Sequence, residues 1–255
     1  MKKLKIWSCL VFLCGLTFGS LHAEPAEKPL TIVMVHGATA GGWEWKSTAK
    51  YLEEDGHTVY RVTLTGLGER YHLASAEVDL ETHIKDVVNT ILFEDLHDVV
   101  LTGHSYGGMV ITGVMDRIPE RISHVIFFDA AVPDDGECMY DLVGGPPPGA
   151  KVVDGLVHFG WGNPDGPYPT NVPHPEKCFS QAVSYDNPAA FELPVTYVAF
   201  VPEGDSIEER ASSDKSWARA KARGWNIRTF PGHHVAQQEN PKGVALLVEE
   251  EALGK

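Results

Sequence analysis

Short runs of apolar, mostly β-branched residues alternate along this chain with longer stretches whose apolar positions recur every three or four residues. The runs are "LTIVMVHG" (30–37), "HTVYRVTL" (57–64), "DVVLTG" (98–103), "SHVIFFDAA" (123–131), "VTYVAFV" (195–201) and "WNIRTF" (225–230). Each has the length and bounding polar or glycine residues of a buried strand. Between them, "GWEWKSTAKYLEEDG" reads as a helix closed by Gly56, and "GGMVITGVMDRI" as one stopped at Pro119. In "DLETHIKDVVNTILFE", Leu80, Ile84, Val87, Val88 and Ile91 share one helical face. Further helices are expected near 207–223 and over 241–251. Strand and helix in strict alternation predict an α/β fold, a mostly parallel sheet with helices on both faces. The alternation breaks over 133–190, where Pro and Gly concentrate ("GGPPPG", "GNPDGPYPTNVPHPE"). Ligands of open parallel sheets bind at the carboxyl ends of the strands. An irregular insertion leaving such an end is therefore a candidate lid.

The first residues follow another rule. Lys2, Lys3 and Lys5 precede "IWSCLVFLCGLTFG", an apolar stretch too short to span a bilayer comfortably, and Ala23 is a plausible cleavage position. Residues 1–23 are expected to be a signal peptide, leaving 24–255 as a single domain, secreted or periplasmic. The 255 residues carry a formal charge of −14, which becomes −17 without the three lysines of that leader. Such a balance argues against nucleic acid and anionic lipid as partners, since both require clustered positive charge. No metal-ligand spacing and no dinucleotide fingerprint occurs, so neither a metal nor a cofactor is expected; "GLGER" at 66–70 is no phosphate loop.

Candidate chemistry centres on "GHSYG" (103–107), a G-x-S-x-G pattern. The bare pattern is common, but here it falls between a strand and a helix, where a nucleophile elbow must sit. Such a turn lifts the Ser105 hydroxyl clear of the sheet, above a helix N-terminus. A serine hydroxyl needs a base, and "PGHHVAQ" (231–237) offers His233 and His234 directly after the last strand.

"VMVHGATAGGWEW", "LTGLGER", "GHSYGGMVITGV", "FFDAAVPDDGE" and "GHHVAQQENP" together resemble the α/β-hydrolase family of plant methylesterases and hydroxynitrile lyases. The resemblance is closest to its bacterial esterase-like members. It implies an α/β-hydrolase fold with a lid insertion and a serine hydrolase acting on small-molecule esters through an acyl-enzyme. In that family the catalytic histidine is followed by x-Ala and, seven residues on, by proline. His234 fits, with Ala236 and Pro241, and His233 is one residue out. The family's oxyanion hole implies backbone N–H groups of Ala38, in "HGA", and of Tyr106, after the nucleophile. His36 and His104 are read as braces of the loop and the elbow. Lyases of the family carry threonine after the first histidine of the "HG" motif and lysine after the catalytic histidine. Here those places hold Gly37 and Val235, which favours hydrolysis over a lyase. A small-ligand receptor of the same fold with little turnover is the other alternative.

Three carboxylates compete to orient His234: Asp129 at the end of strand 123–131, and Glu203 and Asp205 after strand 195–201. The plant methylesterases carry an aspartate at the later place, where an ungapped match puts Glu203; Asp205 fits only with a shift. Asp129 ends an apolar strand beside the nucleophile strand, and a carboxylate there is costly unless paired. Asp129 is the expected acid, with Asp205 next and then Glu203. The insertion carries Phe159, Trp161, Tyr168, Phe179 and Tyr185, which either line an apolar pocket or form the insertion's own core. Cys138 and Cys178, the cysteines left after leader removal, are expected to pair in an oxidising compartment.

Overall fold

The computed structural model describes residues 28–254. The expected signal peptide lies outside the described residues. The strands in chain order are β1 (Thr31–Val35), β2 (Thr58–Val62), β3 (Val99–His104), β4 (Ile122–Phe128), β5 (Lys151–Val153), β6 (Leu156–His158), β7 (His174–Pro175), β8 (Val195–Val201) and β9 (Asn226–Pro231). The main sheet runs β2-β1-β3-β4-β8-β9, and every neighbouring pair in it is parallel. All six strands expected from the apolar runs are present.

The helices are α1 (Lys46–Glu54), α2 (Leu80–Phe93), α3 (Gly107–Arg117), α4 (Met139–Val143), α5 (Lys177–Ser180), α6 (Pro188–Phe191), α7 (Ile207–Ser213), α8 (Lys215–Ala222), α9 (Ala236–Glu239) and α10 (Pro241–Leu253). Strand side chains alternate between faces, so Ile32, Met34, Val100, Phe128 and Phe200 bury against α1 and α10, through Leu52, Val244 and Val248. Val33, Val35, Leu101, Phe127 and Ala199 face the other way, onto α2, α3 and α8. The predicted stripe of α2 (Leu80, Ile84, Val87, Val88, Ile91) is buried. Asp79 caps that helix by accepting from the Thr82 N–H at 2.8 Å.

From the centre of the sheet the chain first moves outward through α1 to β2, then returns to β3 and proceeds the other way. The strand order therefore reverses between β1 and β3. Loops leaving those two ends diverge and open a crevice at the carboxyl edge.

The structure departs from the sequence reading in three places. The helix expected over 207–223 is two helices: Asp214 takes extended backbone and caps α8, accepting from the N–H groups of Ser216 and Trp217. The insertion over 133–190 is less irregular than its proline content suggests. It holds a second, antiparallel sheet, β5-β6-β7, together with α4, α5 and α6. The two cysteines are free. Cys178 turns inward, its Sγ 3.7 Å from the Val78 carbonyl and 3.8 Å from His83, whereas Cys138 caps the start of α4. Both lie in the insertion, but the packing of α5 against α2 commits Cys178 to the core.

Candidate active site

The end of β3 fixes the first group. Ser105 has φ +53°, a left-handed conformation that costs a non-glycine residue free energy and persists where surrounding structure enforces it. Its N–H donates to the Phe128 carbonyl at 3.3 Å, and its carbonyl accepts from Gly108 at 3.1 Å and Ala131 at 2.9 Å. The flanking glycines are required by close approach. A Cβ on Gly107 would lie 2.8 Å from the His36 carbonyl oxygen, and one on Gly108 only 2.1 Å from that of Ala131. Gly108→Ala is accordingly expected to destabilise the fold by about 1–3 kcal/mol or more, as overpacking does. Urea unfolding of that variant checks it.

Three side chains form one hydrogen-bonded line. Ser105 Oγ is 2.9 Å from His234 Nε2, and His234 Nδ1 is 2.5 Å from Asp129 Oδ2. Asp129, at φ +45° just past β4, is buried, and its N–H donates to the Val198 carbonyl at 2.8 Å. Its other oxygen pairs with Arg210 and receives the Phe200 N–H at 3.4 Å. Burial would push the Asp129 carboxyl up; the hydrogen bond and charge of His234, then the charge of Arg210, outweigh it and hold the group below the usual carboxylate range. Glu203 and Asp205 are exposed, and neither side chain bonds His234 among the described residues. His233 is exposed too, its N–H held by Glu239 at 3.2 Å.

Arg210 was not legible as a site residue. It lies one turn into α7 and also pairs with Asp214 at 3.2 Å.

A cavity of about 540 Å³ opens beside Ser105 and His234. Ala38 and Tyr106 line it, and among the described residues neither backbone N–H has a protein acceptor. Gly37 permits this approach, because a Cβ there would lie 2.9 Å from His104 Nδ1 and 3.2 Å from Ser105 Cβ. His36 braces the loop in one tautomer: Nε2 accepts from the Leu64 N–H at 3.1 Å, so Nδ1 donates to the Gly37 carbonyl at 2.8 Å. Phe159, Trp161 and Phe179 line the cavity, whereas Tyr168 is exposed and Tyr185 buried elsewhere. Thr39 ties the insertion down, receiving the Trp161 Nε1–H at 3.2 Å and the Val172 N–H at 2.9 Å. Beneath Ser105, Glu44 and His104 are both buried and paired.

His83, His174 and Cys178 are the one cluster of three ligand types close enough for a metal among the described residues. Hydrogen bonds engage both ring nitrogens of His83 and one of His174, while His174 Nε2 has no partner among the described residues. His83 Nε2–H donates to the Thr65 carbonyl at 2.8 Å, so Nδ1 accepts from the Tyr106 hydroxyl at 3.0 Å. His174 Nδ1 accepts from the Thr39 N–H at 3.1 Å. The cluster thus braces Tyr106 and Thr39, and burial pushes His83 down to about 4. A base whose folded pKa lies below its unfolded value of ~6.5 binds protons more readily when unfolded. Stability is therefore expected to fall between pH 6.5 and 4, by on the order of 3 kcal/mol from this group. Urea unfolding at pH 7 and 4.5 should show the loss, and a smaller one in His83→Gln.

Residues 32–245 match the model of the alpha/beta hydrolase family. A carbendazim hydrolyzing esterase of Nocardioides sp. (strain SG-4G) is 51% identical over 111 residues, covering 44% of this chain and 46% of that protein. Polyneuridine aldehyde esterase of Rauvolfia serpentina is 30% identical over 151 residues, 57% of this chain and 56% of that protein. The matched stretches thus span less than two thirds of these curated relatives. Among solved structures, an extracellular alpha/beta-hydrolase from a Paenibacillus species aligns with TM-score 0.65 at 24% identity, covering 88% of this chain and 99% of that one. A methylesterase from Arabidopsis aligns with TM-score 0.67 at 21% identity, covering 89% and 100%. At those identities the structures speak for the fold, which the parallel sheet and its reversal already define. With a family match over most of its length and the elbow at the end of β3, the chain belongs to the alpha/beta hydrolase family.

Proposed function

We propose that the protein is a serine carboxylic ester hydrolase acting through an acyl-enzyme. The observation that carries this reading is the unbroken line Ser105–His234–Asp129 beside a cavity presenting two unoccupied N–H groups. In this mechanism Ser105 Oγ attacks the ester carbonyl while His234 Nε2 takes its proton. The N–H groups of Ala38 and Tyr106 receive the developing oxyanion, a contribution that in such sites is usually the largest single one. His234 then protonates the leaving alcohol, and the same base activates water to release the acid. Asp129 keeps the Nδ1–H of His234 in place and stabilises the imidazolium.

Two features bear on the alternatives. A threonine in place of Gly37, as in lyases, would crowd His104 and Ser105, and Val235 lines the cavity where a lyase carries its lysine. The base in hydrogen-bond contact with the serine favours turnover over a receptor. The walls of Trp43, Phe159, Trp161 and Phe179, with Met139 and Val143, suit a small apolar or aromatic ester, and residues 133–190 act as its lid. The basic and apolar N-terminal stretch supports export, to the periplasm or beyond.

The test is a substrate series on purified protein: a generic aryl ester, methyl esters of small aromatic and aliphatic acids, carbendazim, and a cyanohydrin. Release of carboxylic acid from the aromatic esters is expected. Cyanide release without ester cleavage, or ligand binding without turnover, would replace the reading with a lyase or a receptor.

A further inference from the structure

Glu44 lies in the turn between β1 and α1, flanked by Trp43 and Trp45, and is buried. A lone carboxylate there would be costly. Its oxygens instead gather donors from three segments. Oε2 accepts the Gly37 N–H at 2.9 Å, and Oε1 meets His104 Nδ1 and Gln237 Nε2. Those segments carry the oxyanion loop, the elbow and the base. His104, itself buried, reaches on with Nε2 to the carbonyl of His234 at 2.6 Å. Its ring centroid lies 4.6 Å from that of His234.

Donor and acceptor types fix the protonation of the pair. The His234 carbonyl can only accept, so His104 Nε2 carries a proton. Two donors that do not depend on His104, the Gly37 N–H and the Gln237 amide, converge on Glu44 and favour its carboxylate form. Nδ1 of His104, which faces that carboxylate with the Gln237 amide 3.2 Å away, then carries a proton as well. We propose that Glu44 and His104 form a permanent buried ion pair, and that both are positioning residues for the reaction. One carboxylate and one imidazolium set the spacing of the hole loop, the nucleophile and the base. Burial would lower His104 and raise Glu44, but their mutual charge and hydrogen bond outweigh it, raising His104 and lowering Glu44. The other titratable groups facing the pair are His36 beside Glu44, and Asp129 and His234 beside His104.

The role in catalysis rests on the ester-hydrolase reading; the ion pair itself does not. One arm of the test needs no substrate: ¹⁵N-histidine NMR of the wild-type protein, with His104 assigned by its loss in His104→Gln. Two ring N–H protons on His104 are expected at pH 7, above the ordinary imidazole pKa. A single ring proton at pH 7 would overturn the pair. The second arm is kinetic, on Glu44→Gln, His104→Gln and the double variant. Each single change is expected to lower kcat by about 10–100-fold, the scale of a small misplacement of reacting groups. KM should stay within about threefold, and the double variant should be no worse than the poorer single one, since both remove the same brace. Folded single variants with wild-type kcat, or losses that multiply in the double variant, would overturn the positioning role. If the wild type hydrolyses no ester, the functional reading fails while the NMR arm still decides the pair.

Discussion

Ser105→Ala is expected to lower kcat/KM for a reactive aryl ester by about 10⁴-fold or more while leaving the unfolding midpoint nearly unchanged. The activity loss follows from removing the hydroxyl oxygen that lies 2.9 Å from His234 Nε2. Stability is spared because alanine and serine bear the left-handed φ of +53° at similar cost, and the backbone bonds of residue 105 to Phe128, Gly108 and Ala131 remain. His234→Ala should approach the same loss, since the hydroxyl is then without a base. His233→Ala should cost little, because its ring bonds nothing among the described residues. A dead His233 variant beside an active His234 variant would mean that the C-terminal loop has a different register in solution.

The second large effect is expected from Asp129→Asn: a fall in kcat of about 10³–10⁴-fold, the scale on which an orienting aspartate acts. An amide cannot hold the Nδ1–H of His234 as a carboxylate does. Arg210 would still keep Asp214 as a partner, so the loss should not come from unfolding. Asp205→Asn and Glu203→Gln should have mild effects, since both side chains are exposed. Steady-state kinetics on the three variants decide the matter, and collapse in either of the latter two would move the acid to the end of β8.

How far the sequence could be read depended on how local the determinants were. The six strands and the stripe of α2 follow from short-range patterns, and the structure has them. Ser105 and His234 came from a turn that needs glycines and from a register shared with relatives. Asp129 came from a physical conflict, a carboxylate closing an apolar strand. What stayed hidden depends on contacts between distant segments. Glu44, between two tryptophans, looks like an exposed turn residue; only its neighbours' apolar character hinted at burial, and its partners lie at 37, 104 and 237. Arg210 reads as one more charge on a solvated helix until α7 folds over Asp129. The cysteines were matched by count and compartment, but the direction of Cys178 is set by the packing of α5 on α2.

The central claim is that Ser105 is acylated during turnover, and intact-protein mass spectrometry tests it most directly. The protein would be mixed with an aryl ester whose acyl group deacylates slowly, quenched in acid within the first turnover, and digested to locate the label. One acyl group per chain is expected, on the peptide holding Ser105, with none in Ser105→Ala and far slower labelling in His234→Ala. An acyl group carried elsewhere, or full turnover by Ser105→Ala, would contradict the account.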